Sequence, residues 1–244
     1  MSDASAQAKG TLPEGQVQAM FDRIAGHYDL MNSLMTAGLH EQWRRRAVEV
    51  AAVGPGDHVL DVATGTGDLA FELARAVAPG GSVTGADFSE QMLAVARGKQ
   101  SAAISGLDVE VVFEQGNALD LHYDDDTFDA VTVGFGVRNF SDLAVGLTEM
   151  ARVVRPGGRF VILEISQPRK GALAHFYRAW FDGIVPLLGK FADENSAYTY
   201  LPNSVKRFAA PEELARVLHE AGTEDVRWLS LAGGIITIHH GVVA

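Results

Sequence analysis

The sequence predicts an α/β fold: a seven-stranded, mostly parallel, doubly wound sheet with helices on both faces and one antiparallel strand at its C-terminal end. Three observations predict it. From His58 to Ile165, short apolar runs alternate with amphipathic ones, the repetition of a parallel sheet crossed by helices. The first of those runs ends in a glycine turn, Gly65-Thr66-Gly67-Asp68-Leu69-Ala70, placed where a strand passes into a helix. Two further apolar runs near the C-terminus are joined through Ala232-Gly233, a link too short for a crossover, so that pair must be antiparallel.

The elements follow in order. Residues 1–15 are small and polar and are expected to be flexible. Residues 16–244 are expected to form a single domain, since 244 residues at 47% hydrophobic content suffice for one large α/β core and not for two. Residues 16–52 read as a helical cap, broken near Gly26 and Gly38. His58–Val62 reads as a buried strand, and Leu69–Ala78 as a helix closed by Pro79-Gly80-Gly81. A second strand covers Ser82–Asp87, followed by a helix over Ser89–Lys99 with Ser89 as its N-cap. Strands over Val109–Phe113, Phe128–Phe135 and Phe160–Ile165 come next, with a helix over Asp142–Val154 between the last two. An insertion, 166–208, follows the fifth strand. A helix over Pro211–Ala221 and the strands Val226–Leu231 and Gly234–His240 complete the chain.

Composition excludes several functions. A net charge of −11 argues against a nucleic-acid substrate, which needs clustered Lys and Arg. Arg44-Arg45-Arg46 reads as a solvated helix face. There is no cysteine, so disulfides, thiolate metal sites and thiol nucleophiles are absent. None of the eight His stand at a helical H-x-x-x-H spacing, and no metal site is expected. No apolar run approaches the roughly 20 residues needed to span a bilayer, and the opening stretch lacks the layout of a signal peptide. A cytoplasmic protein is expected.

The glycine turn fits the G-x-G-x-x-A pattern used for dinucleotides, and Asp87 stands about twenty residues on, where a ribose would be held. Charge separates a dinucleotide from its alternative. A pyrophosphate sits at a helix N-terminus because the amides there are positive, and a nearby carboxylate weakens such a site. Asp61 and Asp68 both flank this turn, which suits a ligand carrying positive charge instead. S-adenosylmethionine fits, with an ammonium, a sulfonium and a ribose. In that reading Gly65, Thr66 and Gly67 let the backbone approach the ligand, Asp61 and Asp87 bind it, Phe88 and Met92 flank the adenine, and Asn117-Ala118 meet its edge. The bland alternative is a tight turn and nothing more.

Several stretches make the chain resemble class I S-adenosylmethionine-dependent methyltransferases of Rossmann-like fold, and among them the ubiquinone/menaquinone biosynthesis C-methyltransferase family. They are Tyr28-Asp29-Leu30-Met31-Asn32 followed by His40 and Trp43; Gly134-Phe135-Gly136-Val137-Arg138-Asn139; Arg152 to Arg159 continuing to Glu164-Ile165-Ser166; and Ala232-Gly233-Gly234-Ile235. The resemblance spans about residues 17–241. It departs at Thr36 and Gly134, where the family usually has Ser, at Pro202-Asn203 and at Gly241-Val242-Val243; Gly134 lacks a hydroxyl that would face the cofactor. The resemblance implies S-adenosylmethionine as cofactor, with Tyr28 and Gly134 added to its site, and C-methylation of a polyprenylated quinol.

Such a reaction needs a ring carbon aimed at the sulfonium methyl, a group that stabilises the phenolate, and an exit for the ring proton. Arg138 is assigned to the phenolate because its guanidinium stays charged and cannot serve as a base. Asn139 orients it or a water, and His40 is a proton acceptor or, equally, a buried structural His. The alternative for Arg138 is a surface pair with Asp142. Asn32, Trp43, Phe176, Tyr177, Trp180, Tyr198 and Tyr200 are expected to line the substrate pocket. Within 166–208, six Lys and Arg oppose three acids among many aromatics, so this insertion is expected to bind a lipid tail and to touch anionic membrane. A homodimer is left open. Three other readings remain: a methyltransferase of a soluble aromatic or polyketide metabolite, a non-catalytic S-adenosylmethionine-binding subunit, and a dehydrogenase, the last disfavoured by Asp61 and Asp68.

Overall fold

Strand β1 (His58–Val62) sits near the middle of a seven-stranded sheet, flanked by β2 (Gly81–Asp87) on one side and β4 (Phe128–Gly134) on the other. The computed structural model describes residues 13–167 and 195–244. With β3 (Val109–Gln115), β5 (Val154–Ile165), β6 (Thr223–Leu231) and β7 (Ile236–Val243), the order is β3-β2-β1-β4-β5-β7-β6. The pairs among β1 to β5 are parallel, and β7 runs antiparallel to both β5 and β6. The predicted fold class and the opposed strand are both present. At the β6–β7 turn Ala232, Gly233 and Gly234 all adopt positive φ, at 47°, 64° and 94°, which explains glycine at two of the three positions.

Eight helices fall within the described residues: α1 (Glu14–Ile24), α2 (Tyr28–Thr36), α3 (Leu39–Ala51), α4 (Asp68–Val77), α5 (Glu90–Ala103), α6 (Leu143–Arg152), α7 (Asn195–Arg207) and α8 (Pro211–Glu220). The period-two alternation of the strands divides the core between them. Leu60, Val62, Val131, Val133, Phe160 and Ile162 pack with Leu147 and Met150 of α6 and Leu214 and Leu218 of α8. The alternate positions face the other way: Val59 and Ala130 meet Leu73 and Val77 of α4, while Val161 and Leu163 meet Ala47 and Ala51 of α3. Burying one such side chain contributes roughly 1.5–3 kcal/mol, so these two layers supply most of the driving force.

Sequence and structure differ chiefly at strand ends. β5 begins at Val154, six residues before the expected Phe160, because Val154 pairs with Phe128 across a bulge that absorbs the Arg155-Pro156-Gly157 kink. β6 likewise begins three residues early, with an irregularity between Glu224 and Arg227. The cap breaks as expected, at a 3-10 turn over Ala25–His27 and at Ala37 and Gly38, both left-handed.

Candidate active site

Strand order reverses between β1 and β4, whose connections leave in opposite directions, and a crevice opens at their carboxyl ends. An open cleft of about 690 Å³ lies there. Its wall takes Gly65 from the glycine turn, Asp87, Phe88 and Met92 from the end of β2 and the start of α5, Asn117 and Ala118 from beyond β3, Gly134 from the end of β4, and Phe135 and Asn139 from beyond it. Phe21 and Tyr28 of the cap close one side. Ala63 and Phe135 line it with φ of 51° and 60°, strained values for residues with a side chain, held where two loops abut. A Cβ on the intervening Gly136 would come within 2.6 Å of that of Ala63, so only glycine allows the approach.

Asp87 is 5% exposed, and each of its oxygens accepts one backbone amide: Gly65 N at 2.8 Å and Ser89 N at 2.9 Å. Burial pushes its pKa up to about 6, against the pull of those amides. The carboxylate is thereby fixed in place with acceptor capacity left over.

A second cavity, about 350 Å³, adjoins the first and shares Tyr28, Ala63, Gly65, Gly134 and Phe135 with it. Asp61 belongs to this one. Alternating with Leu60 and Val62, it leaves β1 on the α3–α4 face directly beside its register partner Thr132, whose hydroxyl donates to Oδ1 at 2.6 Å; Thr64 donates to Oδ2 at 2.6 Å. Burial raises the Asp61 pKa to about 6, and the two hydroxyls and Arg44 oppose that rise.

Two expectations are corrected here. Arg44 is not on a solvated face: it is 7% exposed, lines the second cavity and pairs with Asp68 at 2.8 Å, while Arg45 and Arg46 are exposed as expected. Nor is Asp68 a free carboxylate at the turn. Lys99 also pairs with it at 2.6 Å and reaches Asp29 at 2.7 Å, and Asp29 accepts from the Thr66 hydroxyl at 2.6 Å. This chain of charges ties the cap to the glycine turn.

Arg138 lies in a 3-10 turn directly after β4, its side chain 6% exposed. Its Nη1 donates to Glu164 Oε1 at 2.7 Å and to the Phe135 carbonyl. Glu164 is fully buried and also accepts from the Ile165 amide at 2.7 Å. Burial alone would lower the guanidinium's pKa; Glu164 outweighs that and raises it. The surface pair with Asp142 does not form, since Asp142 instead caps α6 by accepting from Val145 N. Beside Arg138, Asn139 accepts from the Tyr200 hydroxyl at 3.0 Å.

The model of the ubiE/COQ5 methyltransferase family matches residues 9–243. The chain belongs to that family. A demethylmenaquinone methyltransferase of Thermus thermophilus is 47% identical, over 91% of this chain and 99% of its own. A ubiquinone/menaquinone biosynthesis C-methyltransferase of Geotalea daltonii is 39% identical, over 93% and 95%. Among solved structures, a SAM-dependent methyltransferase of Aquifex aeolicus superposes with a TM-score of 0.63 at 18% identity, covering 88% of this chain and 98% of that one, a likeness of fold.

In this methyltransferase the expected cofactor residues divide between the cavities. Tyr28, Gly65, Asp87, Phe88, Met92, Asn117, Ala118 and Gly134 line the first, and Asp61 and Thr66 the second. Gly67 lines neither: with φ of 82° it precedes α4, and a Cβ there would lie 2.8 Å from the Phe113 ring, so its smallness serves packing. Among the catalytic expectations, Asn139 is in the cleft wall, while Arg138, its neighbour in sequence, lines neither cavity. His40 is buried and lines neither cavity. Its Nδ1 lies 2.7 Å from the Thr36 hydroxyl, which gives its one hydrogen to the Asn32 carbonyl; Nδ1 must therefore carry a proton and donate. Burial, then Arg44, lowers its pKa, and the structural reading of His40 is the one this geometry favours. Trp43 packs with Ala47, Val161 and Ile236 between α3 and the sheet, and Asn32 lines neither cavity, so both stand apart from the expected substrate wall. Phe176, Tyr177 and Trp180 lie outside the described residues, as does the side chain of Tyr198.

Two residues were missed in the sequence, Arg44 by being read as solvated and Glu164 by being given no role. Arg44 was legible in principle, since His40, Arg44, Ala47 and Ala51 recur at helical spacing on one buried face. Glu164 had a signal too: an acid inside the apolar run Val161-Ile162-Leu163 at a strand's carboxyl end.

Proposed function

We propose that this methyltransferase transfers the methyl group of S-adenosylmethionine to a ring carbon of a polyprenylated quinol, of the demethylmenaquinol or ubiquinol-precursor type. The observation that carries the reading is the carboxylate of Asp87, fixed by two amides at the carboxyl end of β2, beside the glycine turn and in the same cleft wall as Phe88 and Asn117. The names of the relatives at 39% and 47% identity support the substrate class. S-adenosylmethionine fits these residues: Asp87 offers acceptors to ribose hydroxyls, Phe88 and Met92 offer apolar faces to a base, and Asp61 offers a buried negative charge to an ammonium. When bound, it supplies an electrophilic methyl group.

The chain's own residues then position and stabilise. Arg138 holds a permanent positive charge beside Asn139 and Tyr200, where a quinol ring entering the cleft would develop phenolate charge. Asn139, oriented by Tyr200, takes the ring hydroxyl or a water. The segment 166–208 is proposed as the contact with the lipid tail and with an anionic membrane surface. Among the described residues, no helix is long and apolar enough to cross a membrane.

Calorimetry with S-adenosylhomocysteine and with NADH tests the cofactor. S-adenosylhomocysteine should bind and NADH should not, and Asp87→Asn should weaken the former by about 1.5–3 kcal/mol. Binding of NADH alone would sink the reading. Turnover on long-tailed quinols against soluble phenols then tests the substrate.

Acidity gives a second expected result. Asp61 and Asp87 titrate near 6 in the ligand-free protein, and a ligand that needs both as carboxylates binds only their deprotonated forms. Affinity for S-adenosylhomocysteine should therefore be level above about pH 7 and fall as pH drops through 6, with protons released on binding near that pH. For folding the sign is opposite to the usual carboxylate case: these groups hold protons that the unfolded chain releases near pH ~4, so their burial penalty is absent below that value and complete above about 6. Calorimetry in buffers of different ionisation heat reads the proton release; affinity unchanged from pH 5 to 8 would remove both aspartates from the ligand.

A further inference from the structure

The cap places leucine where a solvent-facing helix ordinarily carries polar side chains. Leu30 and Leu34, one turn apart on α2, are 60% and 63% exposed, and Leu39 at the start of α3 is exposed as well. Large apolar side chains standing singly at a surface are ordinary. These three lie within ten residues of one another, and the first two are the most exposed large apolar side chains among the described residues. Folding does not account for them. The inner face of α2 is already filled by Met31, Tyr28 and Met35, which pack with Met20, Ile24 and Met92.

Exposed positions recur at helical spacing along the cap: Arg23, His27, Leu30 and Leu34 stand four, three and four residues apart. The stripe is basic at its start and apolar at its end. Helix α3 continues it with Leu39 and, further on, the exposed Arg45 and Arg46. The charges of the cap are unequally engaged. Residues 16–52 carry four Arg and four acids in a chain of −11. Asp22 accepts from the Ser89 hydroxyl, Asp29 is held by Lys99 and Thr66, and Glu49 pairs with Arg46. Arg23 and Arg45 have no such partner among the described residues.

Leucines bounded by unengaged cations match the boundary of an anionic bilayer, where the apolar side chains enter the acyl region and the guanidinium groups meet phosphate. A second protein is a poorer match, since a stable interface takes roughly 800 Å² from each side, several times what three leucines offer. We propose that the outer face of the cap, Leu30, Leu34 and Leu39 with Arg23 and Arg45, docks on an anionic lipid surface. The choice of a membrane rests on the polyprenylated-quinol reading and deepens it. Tyr28 lines the cleft from the same helix that turns Leu30 and Leu34 outward, so docking by the cap brings the cleft to within about one helix diameter, roughly 10 Å, of the bilayer that holds such a substrate. This surface is separate from any contact made by 166–208.

Flotation of the full chain with vesicles of phosphatidylcholine, alone and mixed with phosphatidylglycerol, tests it. Wild type should float with the anionic vesicles more than with the neutral ones, and salt should release it. Leu30→Gln with Leu34→Gln, which keeps helix propensity, should weaken that binding on the order of 10- to 100-fold. Arg23→Gln with Arg45→Gln should weaken it by about 10- to 30-fold. Neither pair should change the thermal midpoint or the affinity for S-adenosylhomocysteine, because none of the four residues lines a cavity. Absence of wild-type flotation, or flotation that survives both pairs of substitutions, would overturn the proposal. A dimer in light scattering that the leucine pair dissolves, or a shifted thermal midpoint, either with flotation unchanged, would show the stripe covered by a second copy or by the chain itself, and would overturn it too. Wild type that methylates a long-tailed quinol without floating sinks the docking surface alone. Flotation through these residues with methylation of soluble phenols only sinks the quinol reading and leaves the lipid contact standing.

Discussion

Replacing Glu164 with alanine should cost about 3–5 kcal/mol of stability, read as a fall in the urea midpoint at unchanged slope. The carboxylate is fully buried and the Arg138 side chain that it pairs with is 6% exposed, so its removal strands a positive charge in the interior. A guanidinium stays charged even when buried, so Arg138 cannot escape by losing its proton. Glu164→Gln should cost less, because the amide oxygen still accepts from Nη1. A double replacement of both partners by apolar residues of similar volume should be far milder than either single one, since desolvation of two ions cancels much of what their attraction supplies. If Glu164→Ala lowered stability by less than about 1 kcal/mol, water would have to reach the guanidinium, and the pair would lose its buried character.

Arg138→Lys should lower turnover by about 10²–10³, equivalent to roughly 3–4 kcal/mol in the barrier, while affinity for S-adenosylhomocysteine stays within a few-fold of wild type. Lysine keeps the charge but not the planar donor array, and its single ammonium cannot serve Glu164, the Phe135 carbonyl and a developing phenolate together. The double apolar variant sharpens the result: if it folds well and is inactive, the pair is kept for chemistry. Turnover within a few-fold of wild type in Arg138→Lys would leave Arg138 with a structural role only.

Much of this was legible along the chain. Seven strands and their order of appearance followed from alternation between period two and period 3.6, and Ser89 is the cap of α5 because its side chain satisfies an amide that the helix start leaves open. Legibility ended where a neighbour distant in sequence decides. The early starts of β5 and β6 depend on partners across bulges, which local propensity does not encode.

The charged residues divide along the same line. Asp87 was readable because a ribose-binding acid stands at a fixed distance along the chain from the glycine turn. Asp68 and Arg44 were misread because their contacts join helices 24 residues apart, and His40 was left open because its environment is made by Thr36 and the burial of α3. By itself, then, the sequence determined the strands, the opposed C-terminal pair and the glycine turn with its acid, since each rests on local periodicity and spacing. Only the tertiary structure decided which charges are neutralised and which face a cavity: burial and Coulomb attraction depend on three-dimensional distance, and it is the cap folding over the sheet that brings Arg44 to Asp61 and Asp68.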